Sequence, residues 1–171
     1  MKQLLIILTL VLSVTVLSAQ DMSKKEKKAA REAEKIEKTK ELIQAEAWQF
    51  EAQQMIPMQG KSKSLTTPYS VTLKDEEVDS YLPYYGRAYR VDYGTTDSPM
   101  TFKTDIYDYS IEKWKRDGWM IKFSAKNKSD ILNYTFKISE NGSTSLSVNS
   151  LNRQSISYYG DIVEVPEKEE K

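Results

Sequence analysis

From Tyr69 to Tyr158 apolar side chains recur at every second position in short runs, broken by polar turn signals. Tyr69-Ser70-Val71-Thr72-Leu73 alternates and breaks at Lys74-Asp75-Glu76; Val78 to Leu82 follows and stops at Pro83. Met100 and Phe102 predict a third strand, and Tyr107, Tyr109 and Ile111 a fourth. Asp117-Gly118 is a strong hairpin signal, and beyond it Trp119, Ile121, Phe123 and Ala125 share one face. Asn127 to Asp130 is polar and turn-like. Leu132, Tyr134, Phe136 and Ile138 then alternate without a fault, and Asn141-Gly142 is the second hairpin signal. Leu146 and Val148 continue the rhythm, then Ile156 and Tyr158. This pattern predicts an antiparallel meander sheet of roughly six to eight strands, one face buried and one wet.

The front of the chain has another rhythm. Between Asp21 and Ile56 there is no Gly or Pro, and Ala, Glu, Lys and Gln dominate, a composition that favours helix. Ser23 and Glu26 have the spacing of a capping box. Ala29, Ala33, Ile36, Ile43, Ala47 and Phe50 follow steps of three, four or seven along one stripe, and Pro57 ends the run. The stripe is small-sided at first and gains Leu42, Trp48, Phe50 and Met55 later. That predicts a solvated front half and a back half docked on the body. The composition is coiled-coil-like, but too few large apolar residues stand at seam positions for a sustained coil. The fold class expected is α+β. A signal peptide occupies 1–19, a charged, partly solvated helix 20–44, one globular β-rich domain 45–163 and a loose charged tail 164–171.

The signal peptide rests on Lys2, an uncharged apolar run from Leu4 to Leu17, and Leu17-Ser18-Ala19 before the polar Gln20-Asp21. That run is shorter than the roughly 20 residues a membrane span needs, and no Cys follows for lipid attachment. Cleavage near Ala19/Gln20 would deliver a periplasmic or secreted protein without a membrane span. It removes Lys2 and no acid, so 24 basic side chains face 25 acidic ones, a net charge of −1. Such a balance gives no overall field for steering nucleic acid. The chain has no Cys and no His, which excludes disulfides, His-dependent triads and zinc sites of His or Cys type. No P-loop, dinucleotide fingerprint or nucleophile elbow occurs. No cofactor and no metal is expected, and no catalytic residue is nominated.

Two stretches stand out as binding candidates. In Leu82-Pro83-Tyr84-Tyr85-Gly86-Arg87-Ala88-Tyr89, with Tyr81 before it and Tyr93 after, five tyrosines surround Arg87 and Gly86. Tyr84, Tyr85, Arg87 and Tyr89 form a candidate platform, because Tyr offers rigid amphipathic area at low entropic cost. The structural alternative is that alternate tyrosines fill the core while Gly86 supplies a turn or bulge with positive φ. In Asn152-Arg153-Gln154-Ser155-Ile156-Ser157-Tyr158-Tyr159-Gly160, Arg153 and Tyr158 are the candidates. Arg153 either recognises an anionic ligand, pairs internally with an acid such as Asp105 or Asp108, or meets the Tyr rings of the first stretch. Gly118, Gly142 and Gly160 are read, with Gly86, as turn glycines. Asp75, Glu76, Glu77, Asp79, Asp97, Asp105 and Asp108 supply carboxylates, two of which would have to face each other for glycosidase chemistry.

The order of these stretches, with Asn141-Gly142 between them and a charged helix in front, resembles domain-of-unknown-function family 4251, exported proteins of Gram-negative bacteria. The resemblance covers about residues 45–163, with Tyr85 where the family's pattern has Phe. It implies an envelope or secreted location and carries no catalytic residue. The leading expectation is a non-catalytic periplasmic or secreted binding module for a glycan, a peptide or an envelope protein. The rivals are a carboxylate-dependent hydrolase of glycans or peptidoglycan, and a structural envelope protein that associates through its N-terminal helix.

Overall fold

The structure, a computed structural model, describes residues 24–90 and 98–166. The expected signal segment, the Ser23 cap, Tyr93, Asp97 and the end of the charged tail lie outside these residues. Helix α1 (Lys24–Gln44) precedes eight strands: β1 (Trp48–Pro57), β2 (Lys63–Lys74), β3 (Glu77–Tyr81), β4 (Thr101–Trp114), β5 (Gly118–Asn127), β6 (Asp130–Ile138), β7 (Ser143–Ser150) and β8 (Ile156–Val163). Residues 24–33 of α1 group apart from the compact unit that begins at Glu34, and all their side chains are exposed.

Each strand is antiparallel to the next, and β8 returns to pair with β1 from Gln49↔Val163 to Pro57↔Ile156, closing a barrel. The expected open sheet with one wet face is thereby corrected. Alternation states which face is buried; it is silent on whether the first and last strands meet. With eight strands a twisted sheet can close around an interior just wide enough for side chains, and closure removes both exposed edges. Trp48 packs edge-on against Phe136 at 4.9 Å between ring centroids, and Phe123 stacks on Tyr134 at 5.0 Å. The buried Tyr134 hydroxyl donates to Ser80 Oγ (3.1 Å), which donates to the Met100 carbonyl (2.8 Å). Outside, β6 and β7 present Asn133, Thr135, Lys137, Ser145, Ser147 and Asn149. A membrane-spanning barrel has the inverse pattern, an apolar outer band around a polar interior. Among the described residues no helix is long and apolar enough to cross a membrane.

The helix ends at Gln44, although the helix-favouring composition runs on to Ile56. Glu46 adopts a left-handed φ of 50°, and the chain then enters β1, where Trp48, Phe50 and Ala52 face inward at every second position. The seven-residue step from Ile43 to Phe50 had imitated a helical stripe. Burying two aromatic rings in the barrel overrides the helical composition of Trp48–Ile56. Thr39 and Ile43 are the buried residues of α1, so the docking face belongs to the last turns before Gln44.

The third and fourth strands of the sequence reading are one strand, β4. Its register against β5 shifts between Tyr107 and Ser110, where Asp108 has φ 55°. One extra residue breaks the two-residue rhythm at a bulge, and the sequence shows that as two runs out of phase. At the β2–β3 hairpin Asp75 (φ 54°) and Glu76 (φ 60°) form the two-residue turn between paired Lys74 and Glu77. Both central residues of such a turn need positive φ, which side chains with a Cβ disfavour. Glu76→Gly is therefore expected to stabilise the protein by about 0.5–1 kcal/mol in urea denaturation. An unchanged or lower midpoint would show that the left-handed turn costs nothing here.

Candidate functional site

An up-and-down barrel sorts its connections to two ends. The loops after β1, β3, β5 and β7 share one end, and the segment Leu82–Arg90 lies across it as a strap. Leu82 is buried, and its amide donates to Met100 O (3.2 Å). The Tyr158 hydroxyl donates to Pro83 O (2.7 Å) from within the barrel. Next, the Tyr84 hydroxyl faces the carbonyls of Gln154 (3.0 Å) and Arg87 (3.2 Å). Arg87 and Gln154 bond reciprocally: Arg87 N donates to Gln154 Oε1 (3.0 Å) and Gln154 N to Arg87 O (2.9 Å). Ala88 bridges Arg153, and Tyr89 N donates to Asn152 O (2.7 Å).

Beneath this strap sits Asp130. Its carboxylate accepts from Arg153 Nε (2.7 Å), Ser150 Oγ (2.6 Å) and Asn152 Nδ2 (3.1 Å). The two charged side chains are only 14% (Arg153) and 8% (Asp130) exposed, and the Arg153 guanidinium stands 5.6 Å from the centre of the Tyr84 ring. Arg153 is thus an internal partner of Asp130, and the proposed pairing with Asp105 or Asp108 is corrected; those two acids are exposed on β4. Burial raises the Tyr84 hydroxyl above its ordinary pKa and the Tyr158 hydroxyl much further.

The six candidate binding residues therefore divide. Tyr158 is fully buried, and Tyr84 and Arg153 are committed to holding the strap. Tyr85 (53% exposed), Tyr89 (67%) and the Arg87 side chain face solvent. Lys63, from the start of β2, sets its Nζ 3.8 Å over the Tyr85 ring. Two residues central to the arrangement, Asp130 and Gln154, were not nominated from the sequence.

The glycines divide too. Gly142 holds a left-handed φ of 86° in the turn before β7. Gly86 lies in a bend without positive φ, and a Cβ there would come 2.6 Å from the Tyr84 hydroxyl, so the absent side chain lets that ring fold over. Gly118 opens β5 instead of forming the turn, where Arg116 is the left-handed residue (φ 58°). Gly160 is inside β8, at the closing seam.

At the opposite end Glu46, Glu76, Asp108, Tyr107 and Tyr109 line an open cavity of about 240 Å³ over Leu73 and Ile106. Burial, with the Glu46 carboxylate, pushes the Tyr109 hydroxyl up to about 12. A hydrolytic pair requires one acid held out of water; Glu76 and Asp108 are both exposed. Asp75, Asp79 and Asp105 are exposed as well, and Glu77 pairs with Lys103.

The class defined by this geometry is a closed eight-stranded antiparallel barrel with an N-terminal helix, its interior filled by aliphatic and aromatic side chains and one end covered by a tied-down strap. The profile of the family "Domain of unknown function (DUF4251)" matches residues 30–162, and the chain belongs to that family. The match begins within α1, further forward than the resemblance read from the motifs. A crystal structure of a DUF4251 family protein from Bacteroides eggerthii is similar in fold, with a TM-score of 0.59 at 13% identity, covering 79% of this chain and 91% of that one. Among curated proteins no match is found.

Proposed function

We propose that the mature chain is an exported, non-catalytic binding module that holds a glycan on the strap end of the barrel. The observation that carries this reading is the contrast within one segment. The backbone of the strap is held by hydrogen bonds to Met100 and Tyr158 at its start and to the β7–β8 loop from Arg87 to Arg90, while the side chains of Tyr85, Arg87 and Tyr89 are left in solvent. Rings presented from a fixed backbone bind without a large ordering cost. A closed barrel also has no free strand edge to extend with a peptide strand, which favours a ligand met by side-chain faces. Export is supported by the charged start, apolar run and small-residue end of residues 1–19.

The double variant Tyr85→Ala/Tyr89→Ala is expected to weaken glycan capture about tenfold or more. Its unfolding free energy should stay within about 0.5 kcal/mol of the parent, as for surface positions generally. Glycan-array binding and urea denaturation on the same preparations test both halves. Equal losses of folding and capture would return these rings to a structural role. Intact mass of the envelope-fraction protein should correspond to a chain starting at Gln20; a retained Met1 would refute export by cleavage.

A further inference from the structure

Among the described residues the loops at the two ends differ in charge; Asp92 and Asp97 of the β3–β4 connection lie outside these residues. On the strap end Lys61, Lys63, Arg87, Arg90 and Lys128 come from three different connections and the start of β2, and all are exposed. Direct contacts tie these segments into one surface: Lys63 lies over Tyr85, the strap bonds the β7–β8 loop, and Asp130 joins that loop to the β5–β6 turn. None of the five cations is in an ion pair with a carboxylate among the described residues. The described residues of these loops carry no acid, and Asp130, which opens β6, is neutralised by Arg153 in the interior. The loops of the other end carry Glu46, Asp75, Glu76, Asp117 and Glu140 beside Lys115 and Arg116.

We infer that the ligand is an anionic polysaccharide, one bearing carboxylate, sulfate or phosphate groups; this rests on the glycan reading above and narrows it. The planar guanidinium of Arg87 suits bidentate contact with such groups, whereas Lys61, Lys63 and Lys128 act as point charges. Tyr85 and Tyr89 lie in the same patch and give the sugar rings an apolar face. Each exposed contact is weak alone, and salt screens it over about 8 Å at physiological ionic strength. Several cations on one face act together on a polymer that repeats its charge. The Arg87 side chain is exposed and in no ion pair among the described residues, and the strap bonds of that residue are made by its backbone.

The test is biolayer interferometry of the full mature chain on immobilised polygalacturonate, heparin and phosphomannan. Fully methyl-esterified pectin and unphosphorylated mannan serve as neutral counterparts. We expect at least one acidic polymer to be held about tenfold more tightly than the neutral ones, and salt raised from about 0.05 to 0.3 M to release it. Arg87→Gln/Arg90→Gln should lose this preference with an unchanged melting temperature. Lys113→Gln/Lys115→Gln, toward the other end, should keep it. Equal capture of neutral and acidic polymers, lost in the Tyr85/Tyr89 variant, overturns the anionic assignment and leaves the glycan reading standing. No capture of any polymer overturns both. Tighter binding to phosphatidylglycerol vesicles or to single-stranded DNA than to every polysaccharide also overturns the assignment.

Discussion

Gly160→Ala is expected to lower the unfolding free energy by about 3 kcal/mol or more, among the larger effects for a single added methyl group. Gly160 faces inward on β8 opposite Ala52 of β1, beside the register shift between Ala52 and Gln54. A Cβ there would overlap the carbonyl oxygen of Glu51, lie 2.8 Å from its carbonyl carbon and reach within 3.0 Å of the Phe50 ring. A side chain in the way could rotate; a strand carbonyl moves only by breaking its ladder. The strain therefore falls on the one pairing that turns a sheet into a barrel. Because Gly160 has no left-handed φ, the cost is packing, and relief at Phe50 alone should not restore it. Urea denaturation of Gly160→Ala and of Gly160→Ala/Phe50→Leu decides the matter. A loss below about 1 kcal/mol, or full rescue by the second change, would place the obstacle in the ring.

That seam also marks where the sequence stops being readable. In β5 to β8 alternation stated the buried set residue by residue: Leu132, Tyr134, Phe136 and Ile138 are all inside. In those strands local pattern and tertiary burial agree. They disagree at Trp48–Ile56, whose Glu, Gln and Ala content favours helix while its aromatics fit the barrel wall. Parity also breaks at Asp108, because a bulge adds a residue without changing composition. The strap was conspicuous by its tyrosines, yet their roles were not separable. The bonds that sort them join residues 67, 70 and 75 positions apart, and no local periodicity encodes such contacts. One signal was overlooked. Asp130 stands two residues before Leu132, on the inward parity of β6, and a carboxylate on a buried face requires a partner.

Asp130→Ala is the second large expectation, a loss of about 3–5 kcal/mol. The alanine removes the acceptor for Arg153, Ser150 and Asn152 together, and strands a guanidinium that is 14% exposed. Most of the cost is the unpartnered charge, so Asp130→Ala/Arg153→Met should recover part of it. The pairwise coupling should fall within about 0.5–3 kcal/mol in a double-mutant cycle. A second readout separates this network from ordinary core packing. The Tyr89 amide bonds Asn152 O and the Gln154 amide bonds Arg87 O, so both should exchange with solvent faster once the β7–β8 loop loses its anchor. Amides of Phe136 and Leu146, on paired central strands, should change only as global stability does. Capture by Tyr85 and Tyr89 should weaken in the same variant although neither ring contacts Asp130, because the fixed backbone that presents them is what the network maintains. If the strap amides stay protected after Asp130→Ala, the strap is held by its own backbone bonds, and the order of the proposed binding face must be traced to Gln154 instead.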